Sequence, residues 1–264
     1  MTDIEEHDLG LSHDLPVLIS RRRALGLLAG GVGATALAAC GSSDDGGGAT
    51  TTSERSATGE VPEETPGPFP GDGSNGPDVL AESGVVRRDI TSSFAGASGT
   101  AAGVPTTIEM KLLDVAAGGT ALAGAAFYIW HCDMQGRYSM YEDEIASENY
   151  LRGVQVSDKQ GKVGFASIFP GAYSGRWPHI HFEVYESLEA ATAAGSKLRT
   201  SQIALPQEAC DAAYAADGYE QSVQNLAQTS LESDMVFSDG YASQLADWSG
   251  SASDGIALRL NVGV

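Results

Sequence analysis

From His179 to Tyr185 the chain reads His-Ile-His-Phe-Glu-Val-Tyr, an alternation that constrains the fold more than any other stretch. Side chains on a strand point to opposite faces with a period of two, so this run predicts a strand with both imidazoles on one side. Thr106 to Leu113 and Ile256 to Val262 alternate in the same way, as half-buried strands do. Ala126-Phe127-Tyr128-Ile129-Trp130 is apolar and aromatic throughout and predicts a buried strand. Asp158-Lys159-Gln160-Gly161 separates Val154–Val156 from Val163–Ile168 and predicts a hairpin turn, with glycine where positive φ is needed. Helical material is scarce: Pro206 to Ala216, Tyr219 to Leu231, and Glu186 to Lys197 as either helix or loop. Short strands with glycine-rich turns predict a mainly β fold, a β-sandwich of mixed or antiparallel strands with a few short helices and long loops.

The first 62 residues do not fit that architecture. Ser20-Arg21-Arg22-Arg23-Ala24-Leu25 is a basic run with a twin arginine, followed by an apolar Leu27 to Ala39 too short for a comfortable membrane span. Leu37-Ala38-Ala39-Cys40 resembles the box after which a lipoprotein cysteine is lipidated. Residues 1–40 therefore read as a Tat-type lipoprotein signal with Cys40 as the lipidation site, and the Sec route remains the alternative. Residues 41–62 are rich in Gly, Ser, Thr and Asp and read as a flexible tether. Residues 63–264 are one domain's worth of chain. The expected location is extracytoplasmic, with the membrane touched only through the lipid.

Formal net charge is −20; the first 40 residues hold three arginines against five acids, so −18 falls on the remainder. Phosphate binding needs a basic surface, which excludes nucleic acid as a partner. Besides Cys40, the sequence holds only Cys132 and Cys210. An even pair in an exported protein predicts a Cys132–Cys210 disulfide, worth about 4 kcal/mol in the chain-entropy model. Two separate buried thiols are the rival reading.

Four residues carry the chemistry: Tyr138 in Gly136-Arg137-Tyr138, Tyr173 in Pro170-Gly171-Ala172-Tyr173, and His179 with His181. Two phenols and two imidazoles form a hard oxygen and nitrogen donor set, which suits ferric iron better than a thiolate-loving metal. Arg176 precedes the histidines by three, and Pro178 favours extended geometry at Trp177.

In this order of motifs the chain resembles the intradiol ring-cleavage dioxygenases, the family of catechol and protocatechuate 3,4-dioxygenases. The likeness runs from about Glu64-Thr65-Pro66-Gly67-Pro68-Phe69 to Leu205 and is densest over Trp130–Tyr138 and Leu151–Val184. The resemblance implies non-haem Fe(III), with Tyr138 and His179 as equatorial ligands and Tyr173 and His181 as axial ones. It implies that Tyr173 also acts as base, and that Arg176 stabilises negative charge on the substrate ring. Gln202 is implied to lie near the substrate, and Pro68 to border the mouth of the site. The implied reaction takes a small aromatic diol and O2 and opens the ring between the hydroxylated carbons to a cis,cis-muconate-type diacid. The helical dimerisation segment of catechol dioxygenases has no counterpart here, so a monomer is expected. Two other readings stand beside this one: a zinc or copper centre of His131, His179 and His181, and a non-catalytic, lipid-anchored β-sandwich surface protein.

Overall fold

A computed structural model describes residues 59–264. The predicted signal, Cys40 and the tether up to residue 58 lie outside the described residues. Val61, near the end of the predicted tether, is buried, and its N–H donates to Gly263 O at 3.0 Å.

Two sheets pack face to face. The first has strand order β4 (Arg152–Val156), β3 (Ala126–Trp130), β6 (His179–Tyr185), β7 (Lys197–Ala204), all antiparallel. The second is built around β1 (Pro105–Asp114). On one side β1 pairs with β9 (Gly255–Gly263) in parallel, and β9 pairs with β8 (Asp247–Ser251) antiparallel. On its other side β1 pairs antiparallel with β5 (Lys162–Ile168) and, at its end, with β2 (Thr120–Ala121). The mainly β, mixed sandwich expected from the sequence is the fold.

The predicted hairpin is not formed. The turn at Asp158–Gly161 exists, with Gly161 N–H donating to Asp158 O, but β4 and β5 belong to different sheets. Gly161 O accepts from Leu112 N–H instead, so the turn docks on β1 and carries the chain from one sheet to the other. A local turn motif fixes the reversal, while the sheet each arm joins is set by the partners it meets. Strand β7 was not anticipated; its polar Lys-Leu-Arg-Thr-Ser-Gln-Ile-Ala sequence becomes a strand by pairing along β6.

Alternation on β1 buries Ile108, Met110 and Leu112 and exposes Glu109 and Lys111, as a one-sided sheet requires. Strand β6 is buried on both faces. Ile180, Phe182 and Val184 join Ile108, Met110, Leu112, Phe127 and Phe165 in the core between the sheets, with Phe127 and Phe182 stacked at 5.0 Å. The opposite face carries the histidines, and Trp130 and Tyr128 lie opposite His181 and Glu183. That face would be wet but for the segment ahead of β1, whose Val79, Leu80 and Val85 pack on Ala126, Tyr128, Trp130 and Val154.

The described residues also form three short α-helices: α1 (Leu188–Thr192), α2 (Gln207–Tyr214) and α3 (Glu220–Leu226). Ser187 caps α1 by accepting from Ala190 N–H at 3.2 Å, and Pro206 starts α2 with the fixed φ a helix entrance tolerates. No helix among the described residues is long and apolar enough to cross a membrane.

Candidate metal centre

Strand β6 delivers His179 and His181 to its outer face two residues apart. Their Nε2 atoms lie 3.0 Å from one another. Tyr173 Oη lies 3.1 Å from His179 Nε2, and Tyr138 Oη lies 3.2 Å from His181 Nε2. The two phenols also interact with each other, with rings edge to face at 6.0 Å. All four predicted donors thus converge.

Each tyrosine arrives on a fastened turn. Asp133 makes the first: its carboxylate accepts from Arg137 Nε and Nη2 and from the N–H groups of Gln135 and Arg137. Arg152, fully buried, donates to Ser139 O and Ser139 Oγ behind Tyr138 and to Pro70 O in the overlying segment. Gly136 between them has φ +83°, and a Cβ there would stand 3.0 Å from Tyr173 Cβ. Only glycine lets the two tyrosine turns approach so closely. The second turn is held by Gly171 N–H on Asp133 O, and on α3 by Ser222 Oγ and Asn225 Nδ2, which bind Ala172 N–H and O.

The histidines are held as firmly. His179 Nδ1 lies 2.5 Å from Trp177 O and must donate to it, so Nε2 is the bare nitrogen, free to ligate. The imidazole of His181 stacks on the indole of Trp130, and its Nδ1 is buried without a hydrogen-bond partner. Gly67, with φ +72°, passes so near that a Cβ would meet His181 Cε1 at 3.3 Å. The next aromatic residue, Phe69, packs on Tyr138 with centroids 5.1 Å apart. Pro68 lies exposed between them.

Burial, and then the nearby Arg176 charge, push the His179 imidazole well below its ordinary pKa. Burial and the neighbouring His179 do the same to His181. Both are neutral and able to ligate. Burial pushes the phenol of Tyr173 up to about 12 and that of Tyr138 well above its ordinary value, with Arg176 opposing both shifts. Phenolates in so dry a place need a cation.

The donor set fits one. Ligands bound at about 2 Å and at right angles stand about 3 Å apart, the spacing of these nitrogens and oxygens. The His181 Nδ1 without a partner would carry the proton when Nε2 ligates. Among the described residues there is no cluster of three His, Cys, Asp or Glu side chains suited to a metal, so the two phenols are what complete this set. His131 cannot join it: Nδ1 lies 2.8 Å from Cys132 O and Nε2 2.7 Å from Ser167 Oγ. The three-histidine arrangement is therefore not formed.

Arg176 is buried beside the donors. Its Nη2 donates to Gln202 Oε1 at 2.7 Å, and its Nε to Asp234 Oδ2 at 2.9 Å. Gln202, opposite His181 on β7, also donates from Nε2 to Thr65 O at 2.9 Å. Asp234 and Phe237, whose ring lies 6.4 Å from His179, were not anticipated. They come from the loop before β8, where no sequence motif marks them.

The predicted Cys132–Cys210 bridge is not formed; both are free, buried thiols. Cys132 follows β3 and its Sγ donates to Gly171 O at 3.3 Å, beneath the Tyr173 turn. Cys210 lies in α2, packed in the core between the sheets. Burial pushes both thiols up, Cys210 well above its ordinary value, which keeps them protonated. A polar groove lined by Asp78, Glu82, Ser98, Met140 and Glu148 contains none of the four donors.

A β-sandwich whose outer sheet face gathers two phenols, two imidazoles and an anchored arginine presents a donor set suited to a hard metal ion. Comparison with known proteins finds likenesses to dioxygenases. A family model described as dioxygenase matches residues 75–197. A chlorocatechol 1,2-dioxygenase of Pseudomonas sp. is 31% identical over 84 residues, 25% of this chain and 33% of that protein. The match thus spans only a third of that relative's length. An intradiol ring-cleavage dioxygenase from Tetranychus urticae superposes with TM-score 0.55 at 25% identity, covering 69% of this chain and 87% of the other. A second dioxygenase crystal structure gives 0.53 at 24% identity over the same shares, a likeness of fold. Over residues 75–197 the chain is similar to that dioxygenase family, and its fold is similar to that of an intradiol ring-cleavage dioxygenase.

Proposed function

We propose that this protein is a non-haem Fe(III) intradiol dioxygenase acting on a catechol-type diol. The observation that carries the reading is the convergence of Tyr138, Tyr173, His179 and His181 at 3.0–3.2 Å beside a buried Arg176. Tyr138, Tyr173, His179 and His181 would hold the metal. Ferric iron held there would be chelated by both catechol oxygens and would draw electron density from the ring.

The chain's own residues supply the rest. Tyr173 Oη would take up a proton as the diol binds, and burial favours its protonated form. Arg176 carries the positive charge that meets negative charge developing on the ring. Trp130, Phe69 and Phe237 keep water from the donors. The substrate supplies all the electrons: one O2 is consumed per diol, both oxygen atoms enter the product, and a muconate-type diacid forms. No flavin or nicotinamide is required.

Oxygen uptake by iron-loaded protein with catechol, 4-methylcatechol and hydroxyquinol tests the proposal. Stoichiometric uptake with diacid formation is expected, from a protein coloured by phenolate-to-iron charge transfer. A colourless protein, or no uptake across the panel, overturns it; the second result favours a non-catalytic surface protein. We also propose that the protein works as an exported monomer on a lipid anchor at Cys40. Cys40→Ser should release it from the membrane fraction, and continued membrane association would refute the anchor.

A further inference from the structure

The family match ends at residue 197, yet the loop bearing Tyr173 and Arg176 is fastened from beyond it. Asp234 is buried, and its two carboxylate oxygens have divided tasks. Oδ2 accepts from Arg176 Nε at 2.9 Å and from Trp177 N–H at 2.7 Å. Oδ1 accepts from Val236 N–H at 2.8 Å and Phe237 N–H at 3.2 Å, with a longer contact to Arg176 Nη2 at 3.4 Å. Gln202 takes Nη2 at 2.7 Å. Nε and Nη2 are thus gripped along one edge of the guanidinium, and neither partner uses Nη1. A planar guanidinium held by two or more charge-assisted bonds has no freedom to turn.

We propose that Asp234 is a positioning residue of the ring-cleavage site, fixing Arg176 so that its unused Nη1 side faces the charge that develops on the substrate. This rests on the function proposed above. A buried ion pair is weak evidence of stabilisation by itself, because desolvation offsets much of the attraction. Such a pair is well suited to hold an orientation, and a displacement of about 1 Å in a catalytic group lowers turnover roughly 100-fold. The competing account makes Asp234 only the cap of the turn at 235–237.

Asp234→Asn separates the two. A carboxamide oxygen can still accept from Val236 and Phe237, preserving the cap. Its NH2 cannot accept from Arg176 Nε or Trp177 N–H, so the grip is lost. Wild type, Asp234→Asn, Arg176→Gln and the double variant are compared as full-length, iron-loaded proteins. Expected for Asp234→Asn are wild-type iron content and charge-transfer band, kcat lowered roughly 100-fold, and KM changed less than about threefold. In the Arg176→Gln background the same change should lower kcat no further, since both act through one group. Near-wild-type kcat in Asp234→Asn, multiplicative losses in the double variant, or iron lost along with activity would each overturn the inference. If wild type itself consumes no oxygen, the underlying reading fails first and this one with it.

Discussion

The indole of Trp130 lies flat on the imidazole of His181, with centroids 5.0 Å apart and planes within 6° of parallel. They are cross-strand neighbours on β3 and β6, so sheet register brings them together. The stack, with Gly67 close to its Cε1, holds the plane of His181, and its Nε2 lies 3.2 Å from Tyr138 Oη. His181→Ala should therefore lose iron while the sandwich stays folded. Metal analysis with a thermal melt checks this; full ferric occupancy in the variant would remove His181 from the ligand set.

Tyr173 sits at the edge of the site, only partly buried and followed by exposed Ser174 and Gly175, whereas Tyr138 is enclosed. Of the two phenols, Tyr173 has the room to move. Tyr173→Phe should keep much of its iron through the other three donors and lose roughly 100-fold or more in turnover, the range of an acid–base group. Stopped-flow binding of catechol without oxygen should slow in parallel. Wild-type rates in this variant would exclude the ligand-and-base role.

The free thiols make a chemical prediction. Cys132 and Cys210 are buried and protonated, so neither should react with a thiol reagent in the folded protein. Both should react after denaturation without reductant. Failure of the pair to react under those conditions would show a bridge.

His131 gives the stability a pH dependence. Burial pulls its imidazole down to about 4, below the ordinary 6.5 it has when unfolded. Between these values the unfolded chain binds the proton and the folded chain does not, so stability falls as pH drops from 6.5 towards 4. The loss is on the order of 3 kcal/mol at most, since each tenfold change in proton affinity is worth about 1.4 kcal/mol. Melts at pH 7 and pH 4.5 should show wild type losing more stability than His131→Gln. Equal losses would assign the acid sensitivity to other groups.

Much of the site was legible in the chain. Alternation at 179–185 placed both histidines on one face, because a strand's period leaves no other choice. The turns at 136–138 and 170–173 marked the tyrosines by their glycines. Strands β1, β3, β6 and β9 were readable for the same reason, since each carries its apolar pattern within itself. Sequence alone thus determined the donor types, their order and the kind of layer that bears them.

Tertiary structure decided what depends on partners distant in the chain. Asp158–Gly161 turns as expected, but β4 and β5 part into two sheets, because pairing depends on which strands lie alongside. Lys197–Ala204 lacks an apolar pattern and is a strand only because β6 offers an open edge. The two cysteines remain apart in different layers despite their even number. Asp234 reaches Arg176 across 58 residues of chain, a contact no local pattern encodes. Short-range sterics and periodicity write themselves into sequence; long-range charge pairing and sheet order exist only once the chain has closed on itself.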